Sequence, residues 1–370
     1  MRKLIISLFL LGTLNVSNAQ IEIMKDFDLG NYSVGFKFEQ ITDYSRSFGD
    51  DFRPIQMFIW YPIDGNQRSP MKYIDYCFLS DLKDQQRDTI QEIHYGLLDS
   101  MLSAEIKDLK ITGNNEDILA RYKNLITISQ KEAQISGNSF PLILFAPGGN
   151  TSAYMHSVIC EFLASYGYIV VSIPSLGNSE GKRWPFDNIG LNIQIDDMSF
   201  AINHLANTMK EFNTEKICLI SWSVGGVSQG IYCMKNSLID MFISLDSGLG
   251  REYGVEMIKV SPYFDYSKIK IPFLHITGAH PEQYDVPRTS EFYDSIASTR
   301  KYSLILEPFA HQHFASQIGY IPSVVSEKRN QLIEESYINL CNITLIFIDA
   351  FLTEKSKSEE EWMELISIYK

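Results

Sequence analysis

From Phe140 onward, short apolar runs alternate with longer segments in which apolar and polar residues repeat with a helical period. The apolar runs predict strands and the periodic segments predict helices. Because helices separate most of the strands, the sheet should be largely parallel and the fold class α/β. Strands are predicted at Leu142 to Ala146, Tyr168 to Ile173, Lys216 to Trp222, Met241 to Leu245, Phe273 to Thr277 and Tyr302 to Leu306, and helices at Ala153 to Tyr166, Ile193 to Met209 and Leu332 to Phe351.

The N-terminal part follows a different pattern. Residues Tyr32 to Ile41 alternate like a strand, and Pro54 to Tyr61 forms a second apolar run that Pro62 ends. Between them and Phe140, charges at helical spacing predict a helical insertion or cap over about residues 75–135, with helices at Leu82 to Leu98 and Glu116 to Ile128. We expect a single domain over residues 20–370, ending in an acidic helix or tail over 354–370.

The first nineteen residues have the pattern of a signal peptide. Met1-Arg2-Lys3 is positively charged, an apolar stretch follows, and Ser17-Asn18-Ala19 is a small-x-small cleavage site. The apolar stretch is too short to cross a bilayer. The sequence therefore predicts export to the periplasm or the medium, with a mature chain that starts at Gln20 and has no stable membrane insertion.

Composition narrows the class of partner. The 370 residues carry a net charge of -13, which argues against a nucleic-acid binder, since such proteins usually present a basic surface. The five cysteines form no C-x-x-C pair, so zinc and redox motifs are missing. Because their number is odd, at least one thiol is free unless it pairs between chains. Neither observation bears on oligomeric state.

The segment Ser221-Trp222-Ser223-Val224-Gly225-Gly226 follows an apolar strand and precedes a predicted helix. It nearly matches the nucleophile elbow G-x-S-x-G, in which a serine sits on a strained turn between strand and helix. Ser221 stands where the pattern has glycine, and serine is small enough to fit. We therefore predict Ser223 as a nucleophile.

A serine nucleophile needs a base, and the base needs a carboxylate, both later in the chain in this arrangement. Asp246 directly follows the strand that ends at Leu245, whereas Glu282 and Asp285 follow the next strand. Two histidines, His311 and His313, follow the strand Tyr302 to Leu306. We favour Asp246 and leave both histidines open. A metal site at His-x-His is disfavoured, because no carboxylate or cysteine cluster near it completes one.

An oxyanion formed at this serine would need backbone N–H donors. Val224, the residue after the serine, is one candidate. The loop Pro147-Gly148-Gly149-Asn150-Thr151 supplies the other, at Gly149 or Asn150, because two glycines let the backbone approach a ligand. Trp222 in the elbow and Trp184 in Trp184-Pro185-Phe186 are candidate substrate-binding residues.

Three segments resemble the platelet-activating factor acetylhydrolase group of α/β-hydrolases, with the dienelactone hydrolase-like branch as a near relative. They are the elbow, Ile243-Ser244-Leu245-Asp246-Ser247 and His311-Gln312-His313-Phe314-Ala315. The resemblance implies an α/β-hydrolase fold with Ser223 as nucleophile, Asp246 as orienting acid and His311 as base. Pro147 stands where that group usually has histidine.

The resemblance implies a metal-free serine esterase that needs no cofactor and cleaves an ester with a short acyl group, sometimes on a phospholipid. Nothing in the sequence selects phospholipid over another small-molecule ester. Two alternatives stay open: a secreted peptidase on the same scaffold, and a catalytically silent binding protein that keeps the fold.

Overall fold

The computed structural model describes residues 20–79, 120–279, 286–325, 330–353 and 356–368. The predicted signal peptide, the predicted helix Leu82 to Leu98, and the alternative acids Glu282 and Asp285 lie outside these residues. In the described part, no helix is long and apolar enough to cross a membrane.

Eleven strands and ten α-helices are defined in the described residues. The strands are β1 (Ile21–Glu22), β2 (Ser33–Phe48), β3 (Asp51–Ile63), β4 (Leu125–Ile126), β5 (Ser129–Lys131), β6 (Phe140–Ala146), β7 (Ile169–Ser172), β8 (Phe212–Trp222), β9 (Met241–Leu245), β10 (Phe273–Gly278) and β11 (Lys301–Leu306). The helices are α1 (Tyr73–Cys77), α2 (Ser157–Ser165), α3 (Asn188–Thr208), α4 (Gly225–Lys235), α5 (Glu252–Lys259), α6 (Glu291–Ser295), α7 (Ser316–Gly319), α8 (Ile321–Val325), α9 (Gln331–Phe351) and α10 (Ser356–Ile368).

A nine-stranded sheet organises the chain, in the order β11-β10-β9-β8-β6-β7-β3-β2-β5. The six strands from β11 to β7 are parallel, and β3 joins β7 and β2 in antiparallel pairs. The predicted α/β class with a mostly parallel sheet is therefore confirmed. From β6 the chain first adds β7 on one side and then β8 on the other, so the strand order reverses between β6 and β8. Such a reversal opens a crevice at the carboxyl ends of the strands.

Alternate side chains of the central strands pack on opposite faces of the sheet, as the strand period requires. Ile143 and Phe145 of β6 belong to the core under α2 and α9. Leu142 and Leu144 of the same strand belong to the core under α3 and α4. Burial on both faces explains why these strands are continuous apolar runs in the sequence.

The prediction of a helix over Glu116 to Ile128 is wrong in its second half. Residues 120–123 are helical, but Leu125–Ile126 is a short strand that pairs in parallel with β1, and Ser129–Lys131 pairs in parallel with β2. Partners about a hundred residues away decide this conformation, and local charge spacing does not reveal them. The described part of the predicted insertion thus mixes helix and strand.

The acidic C-terminal segment is the helix α10, which packs on the domain. Trp362 is fully buried and contacts the rings of Tyr302, Phe347 and Phe351. The acidic residues occupy the exposed side of this helix.

Candidate active site

The turn that carries Ser223 has the strand–turn–helix geometry of the nucleophile elbow predicted from the sequence. Strand β8 ends at Trp222, helix α4 begins at Gly225, and Ser223 between them has a φ of 57°. This left-handed conformation is unfavourable for a residue with a side chain and is held by its surroundings. A Cβ on Gly225 would lie 2.4 Å from the carbonyl oxygen of Ala146, so the helix start packs directly on the end of β6.

The turn has room for Ser221, which stands at the position of the first glycine of the elbow pattern. Ser221 is fully buried, and its hydroxyl has no hydrogen-bond partner within the described residues. Space for it exists because Gly226 lacks a side chain: a Cβ there would lie 3.1 Å from Ser221 Oγ. The departure from the pattern therefore leaves the turn intact.

Three side chains from separate strand ends form one hydrogen-bonded row. His311 Nε2 lies 3.1 Å from Ser223 Oγ, and His311 Nδ1 lies 2.7 Å from Asp246 Oδ2. Because the carboxylate can only accept, Nδ1–H donates to Asp246 and Nε2 is left to accept from the Ser223 hydroxyl. Ser223 is half-buried and the His311 side chain is 28% exposed, so the outer end of the row faces solvent.

The carboxylate at the inner end is deeply buried but well supported. Asp246 is 2% exposed and, like Ser223, has a positive φ, of 38°. Burial alone would raise its pKa, but the hydrogen bond and charge of His311, together with the charge of Arg251, hold the pKa below the usual value. Arg251 Nη2 lies 3.3 Å from Asp246 Oδ1, and the Gly278 N–H also donates to that oxygen at 3.3 Å.

Of the two candidate histidines, the structure brings only His311 into the row. His313 Nδ1 accepts a hydrogen bond from the backbone N–H of Ala310 at 3.0 Å, and its ring packs edge-to-face on Phe309. His313 is 9% exposed. Its imidazole is therefore part of the loop that presents His311.

Two backbone N–H groups near Ser223, those of Gly149 and Val224, are oriented by hydrogen bonds to the carbonyls of the residues before them. The carbonyl of Gly148 accepts hydrogen bonds from Ser175 Oγ at 3.0 Å and from Thr151 Oγ1 at 2.5 Å. In a trans peptide the next N–H, that of Gly149, points the opposite way. Likewise the carbonyl of Ser223 accepts from Gly248 N at 2.9 Å and Gly226 N at 3.2 Å, which turns the Val224 N–H away from them.

The glycine loop is held close to the serine. A Cβ on Gly148 would lie 3.0 Å from Ser223 Cβ, and one on Gly149 would lie 3.1 Å from both Trp184 and Val224. Asn150, with a φ of 59°, accepts from the Trp184 N–H at 2.7 Å and donates to the Trp184 carbonyl at 3.3 Å. The loop after β6 and the Trp184 loop thus form one unit.

Both candidate substrate-binding tryptophans are buried. Trp184 is 2% exposed and donates from Nε1 to the carbonyl of Gly190 at 2.8 Å. Phe186, two residues on, is 58% exposed and packs against Tyr253. Trp222 is 6% exposed, and its ring stacks on that of His311 with centroids 4.8 Å apart. Phe186 also contacts the ring of Trp184, which lies against Gly149, so it provides an exposed aromatic ring beside the glycine loop.

Sequence reasoning missed Arg251, Ser175 and His156. Arg251 contacts Asp246, Ser175 donates a hydrogen bond to the glycine loop, and the ring of His156 packs at a tilt behind Trp222. They lie on other elements, and no local motif marks them. Within the described residues, no three His, Cys, Asp or Glu side chains come together in a way that could hold a metal ion.

Comparison with known proteins agrees with this architecture. No family model matches the chain. A curated relative, "Probable 1-alkyl-2-acetylglycerophosphocholine esterase" from Arthroderma benhamiae, is 24% identical over 136 residues, covering 32% of this chain and 34% of the relative. The matched part thus spans about a third of that relative's length.

Two solved structures share the fold. A ferulic acid esterase from Streptomyces cinnamoneus superimposes with a TM-score of 0.60 at 16% identity, covering 91% of this chain and 94% of that one. An acylaminoacyl peptidase from Pyrococcus horikoshii gives a TM-score of 0.50 at 14% identity, covering 86% of this chain and 42% of that one.

The sheet order, the elbow at its crevice and these likenesses define an α/β-hydrolase fold. This is the fold that the sequence motifs predicted.

Proposed function

We propose that this protein is a serine esterase that hydrolyses a carboxylic ester through an acyl-enzyme. The observation that carries the proposal is the row Ser223–His311–Asp246, with contacts of 3.1 and 2.7 Å, at the point where the strand order of the sheet reverses. A nucleophile, a base and an orienting acid in this order are what acyl transfer requires.

In the first half-reaction, Ser223 Oγ attacks the ester carbonyl carbon while its proton passes to His311 Nε2. The tetrahedral oxyanion is held by the N–H groups of Val224 and Gly149; the pinned carbonyl of Gly148 favours Gly149 over Asn150 for this role. Collapse breaks the bond to the leaving oxygen, which takes the proton from His311 and departs as the alcohol.

In the second half-reaction, water attacks the acyl-enzyme carbonyl and gives its proton to His311 Nε2. The second tetrahedral intermediate expels Ser223 Oγ, which recovers the proton, and the carboxylic acid leaves. Asp246 keeps the imidazole in the tautomer that accepts at Nε2 and balances its charge in both intermediates. The reaction needs no metal or cofactor.

Esters with a short acyl group are the favoured substrate class. The relative named for an acetylated glycerophosphocholine and the sequence resemblance support an acetyl-sized acyl group, and exposed Phe186 beside the glycine loop suits an apolar leaving group. We also propose that the protein is exported, as inferred from residues 1–19, and that it acts in lipid degradation.

The test compares Ser223→Ala with Ser221→Ala on p-nitrophenyl acetate, butyrate and octanoate. Ser221 is a matched control, because it is a buried serine two residues away whose hydroxyl has no partner in the described residues. We expect Ser223→Ala to abolish turnover and Ser221→Ala to retain it, with acetate the best ester. Equal turnover by the two variants would refute the proposal.

A peptidase is the second candidate, because one structural neighbour is an acylaminoacyl peptidase. Cleavage of N-acetyl-aminoacyl p-nitroanilides, with no hydrolysis of the matching esters, would favour it. A catalytically silent binding protein would leave Ser223 unlabelled by a fluorophosphonate probe in folded protein. The intact elbow around Ser221 argues against this third reading.

A further inference from the structure

A column of aromatic rings leads from the core to the imidazole of His311. Trp222 lies between two histidines, with ring centroids 4.8 Å from His311 at an interplanar angle of 21° and 5.2 Å from His156 at 60°. Phe145 packs behind His156 at 4.5 Å and 31°. The order of rings is thus Phe145, His156, Trp222 and His311.

Trp222 contacts His311 in two ways. The face of its indole lies nearly parallel to the imidazole, and its Nε1–H donates to the backbone carbonyl of His311 at 3.1 Å. The hydrogen bond fixes the backbone of the residue whose ring the indole covers. Both the position and the tilt of the imidazole therefore depend on Trp222.

His156 supports the other side of the indole as an uncharged ring. It is fully buried, and burial lowers its pKa to about 3, with repulsion from His311 acting in the same direction. The backbone of Phe314 lies close enough to favour the charged form, but neither ring nitrogen has a hydrogen bond of good geometry within the described residues. The contacts of His156 in the column are therefore with the aromatic rings of Phe145 and Trp222.

We infer that Trp222 is a positioning residue for His311, and that it stabilises the imidazolium formed during turnover while His156 and Phe145 hold the indole in place. The inference rests on the proposed function, because it concerns the base of that same site. When Ser223 attacks, His311 takes up a proton and becomes positively charged. The face of an indole carries partial negative charge and attracts a cation placed over it.

The attraction is stronger in the transition state than before it, because the imidazole gains its positive charge only when it takes the proton from Ser223. Interactions of this kind raise kcat and leave KM unchanged. Within the described residues, the charged and titratable groups that interact with His311 or with its carboxylate are Asp246 at Nδ1, Arg251 and His275 beyond Asp246, and His156 across the indole. A substitution at Trp222 replaces none of these four side chains.

A substrate-binding role for Trp222 makes a different prediction. If the indole contacted the acyl group, its replacement would change KM, and the change would grow with acyl length. The buried position of Trp222, at 6% exposure, favours the contact with His311.

The experiment measures kcat and KM on p-nitrophenyl acetate and butyrate for Trp222→Leu, Trp222→Phe, His156→Leu and His156→Phe. We expect Trp222→Leu to lower kcat about tenfold for both esters, with KM within about twofold. Trp222→Phe keeps an aromatic face and should recover most of kcat. His156→Leu should also lower kcat, and His156→Phe, which keeps an aromatic ring behind Trp222, should have a kcat near that of the wild-type protein.

Near-UV circular dichroism and melting temperatures establish that each variant is folded, and the His156 pair tests the column should Trp222→Leu not fold. Wild-type kcat in folded Trp222→Leu would overturn the inference. If Trp222→Leu does not fold, wild-type kcat in folded His156→Leu would overturn it instead. A KM of the Trp222 variants that rises with acyl length would also overturn it. An inactive wild-type protein, or activity retained by Ser223→Ala, would instead overturn the proposed function, so the two failures are distinguishable.

Discussion

Gly226 leaves room for the hydroxyl of Ser221, which occupies the position of the usual elbow glycine. A Cβ on Gly226 would come within 3.1 Å of Ser221 Oγ and within 2.3 Å of Ser247 Oγ. Ser247 directly follows Asp246. Its hydroxyl lies 2.6 Å from that of Ser244 and accepts a hydrogen bond from the Leu249 N–H. The turn therefore tolerates serine at position 221 because position 226 is glycine.

This relationship predicts opposite outcomes for two exchanges. Gly226→Ala should destabilise the protein by about 1–3 kcal/mol through overpacking and lower kcat by displacing the loop of Asp246. Ser221→Gly should change the free energy of unfolding by less than about 1 kcal/mol and keep activity. Urea denaturation and p-nitrophenyl acetate turnover measure both. Full stability and activity in Gly226→Ala would contradict this account of the elbow.

The two histidines of the 311–313 turn form a matched pair. His311→Ala removes the ring that contacts Ser223 and Asp246, and should lower kcat by about a thousandfold or more with little change in stability. His313→Ala removes an acceptor for the Ala310 N–H, and should lower the melting temperature while kcat of the folded fraction stays within about threefold. The reverse ranking of kcat would identify His313 as the base.

Asn150 provides a test of the glycine loop. Asn150→Gly keeps the left-handed backbone but loses both hydrogen bonds to Trp184, whereas Asn150→Ala loses these bonds and strains the backbone. If the loop supplies an oxyanion donor, kcat should fall in both variants, by about tenfold in Asn150→Gly and further in Asn150→Ala, with KM nearly constant. Unchanged kcat in both variants would exclude the loop from that role.

Buried His156 predicts a pH dependence of stability. Its folded pKa of about 3 lies below the unfolded value near 6.5, so the unfolded chain binds the extra proton between these values. The free energy of unfolding should therefore fall as pH falls below 6.5, by at most about 1.4 kcal/mol per pH unit from this group.

His156→Phe removes this titration. Relative to the variant, the wild-type protein should lose about 2 kcal/mol at most between pH 7 and pH 5, measured by urea denaturation. Other groups, including Glu161, whose burial raises its pKa to about 7, are common to both proteins and cancel in the comparison. Parallel pH profiles would show that His156 does not titrate as a buried neutral ring.

The parallel half of the fold could be predicted because its strands are local apolar runs, which in β6, β7, β9 and β10 are buried on both faces. Strand ends of a parallel sheet meet at one edge, and this geometry brings Asp246 and His311 to Ser223 across 23 and 88 positions of sequence. His275, inside strand β10, is buried and its Nδ1 lies 2.9 Å from Ser244 Oγ.

What the sequence did not reveal depends on long-range contacts. Strand β4 is two residues long and exists because β1 lies beside it, and Arg251 and His156 acquire meaning only from the side chains they meet. Nothing in the helical pattern around His156 distinguishes a ring packed against Trp222 from any other buried histidine. Packing of this kind is decided in three dimensions.

The central claim is that Ser223 forms the acyl-enzyme, and its most direct measurement is peptide mass spectrometry of protein treated with a fluorophosphonate, with untreated protein and Ser223→Ala as controls. The account predicts a single phosphonyl group on Ser223, loss of esterase activity in step with labelling, and no label in Ser223→Ala. A label on another residue, or full activity in protein whose Ser223 is completely modified, would contradict it.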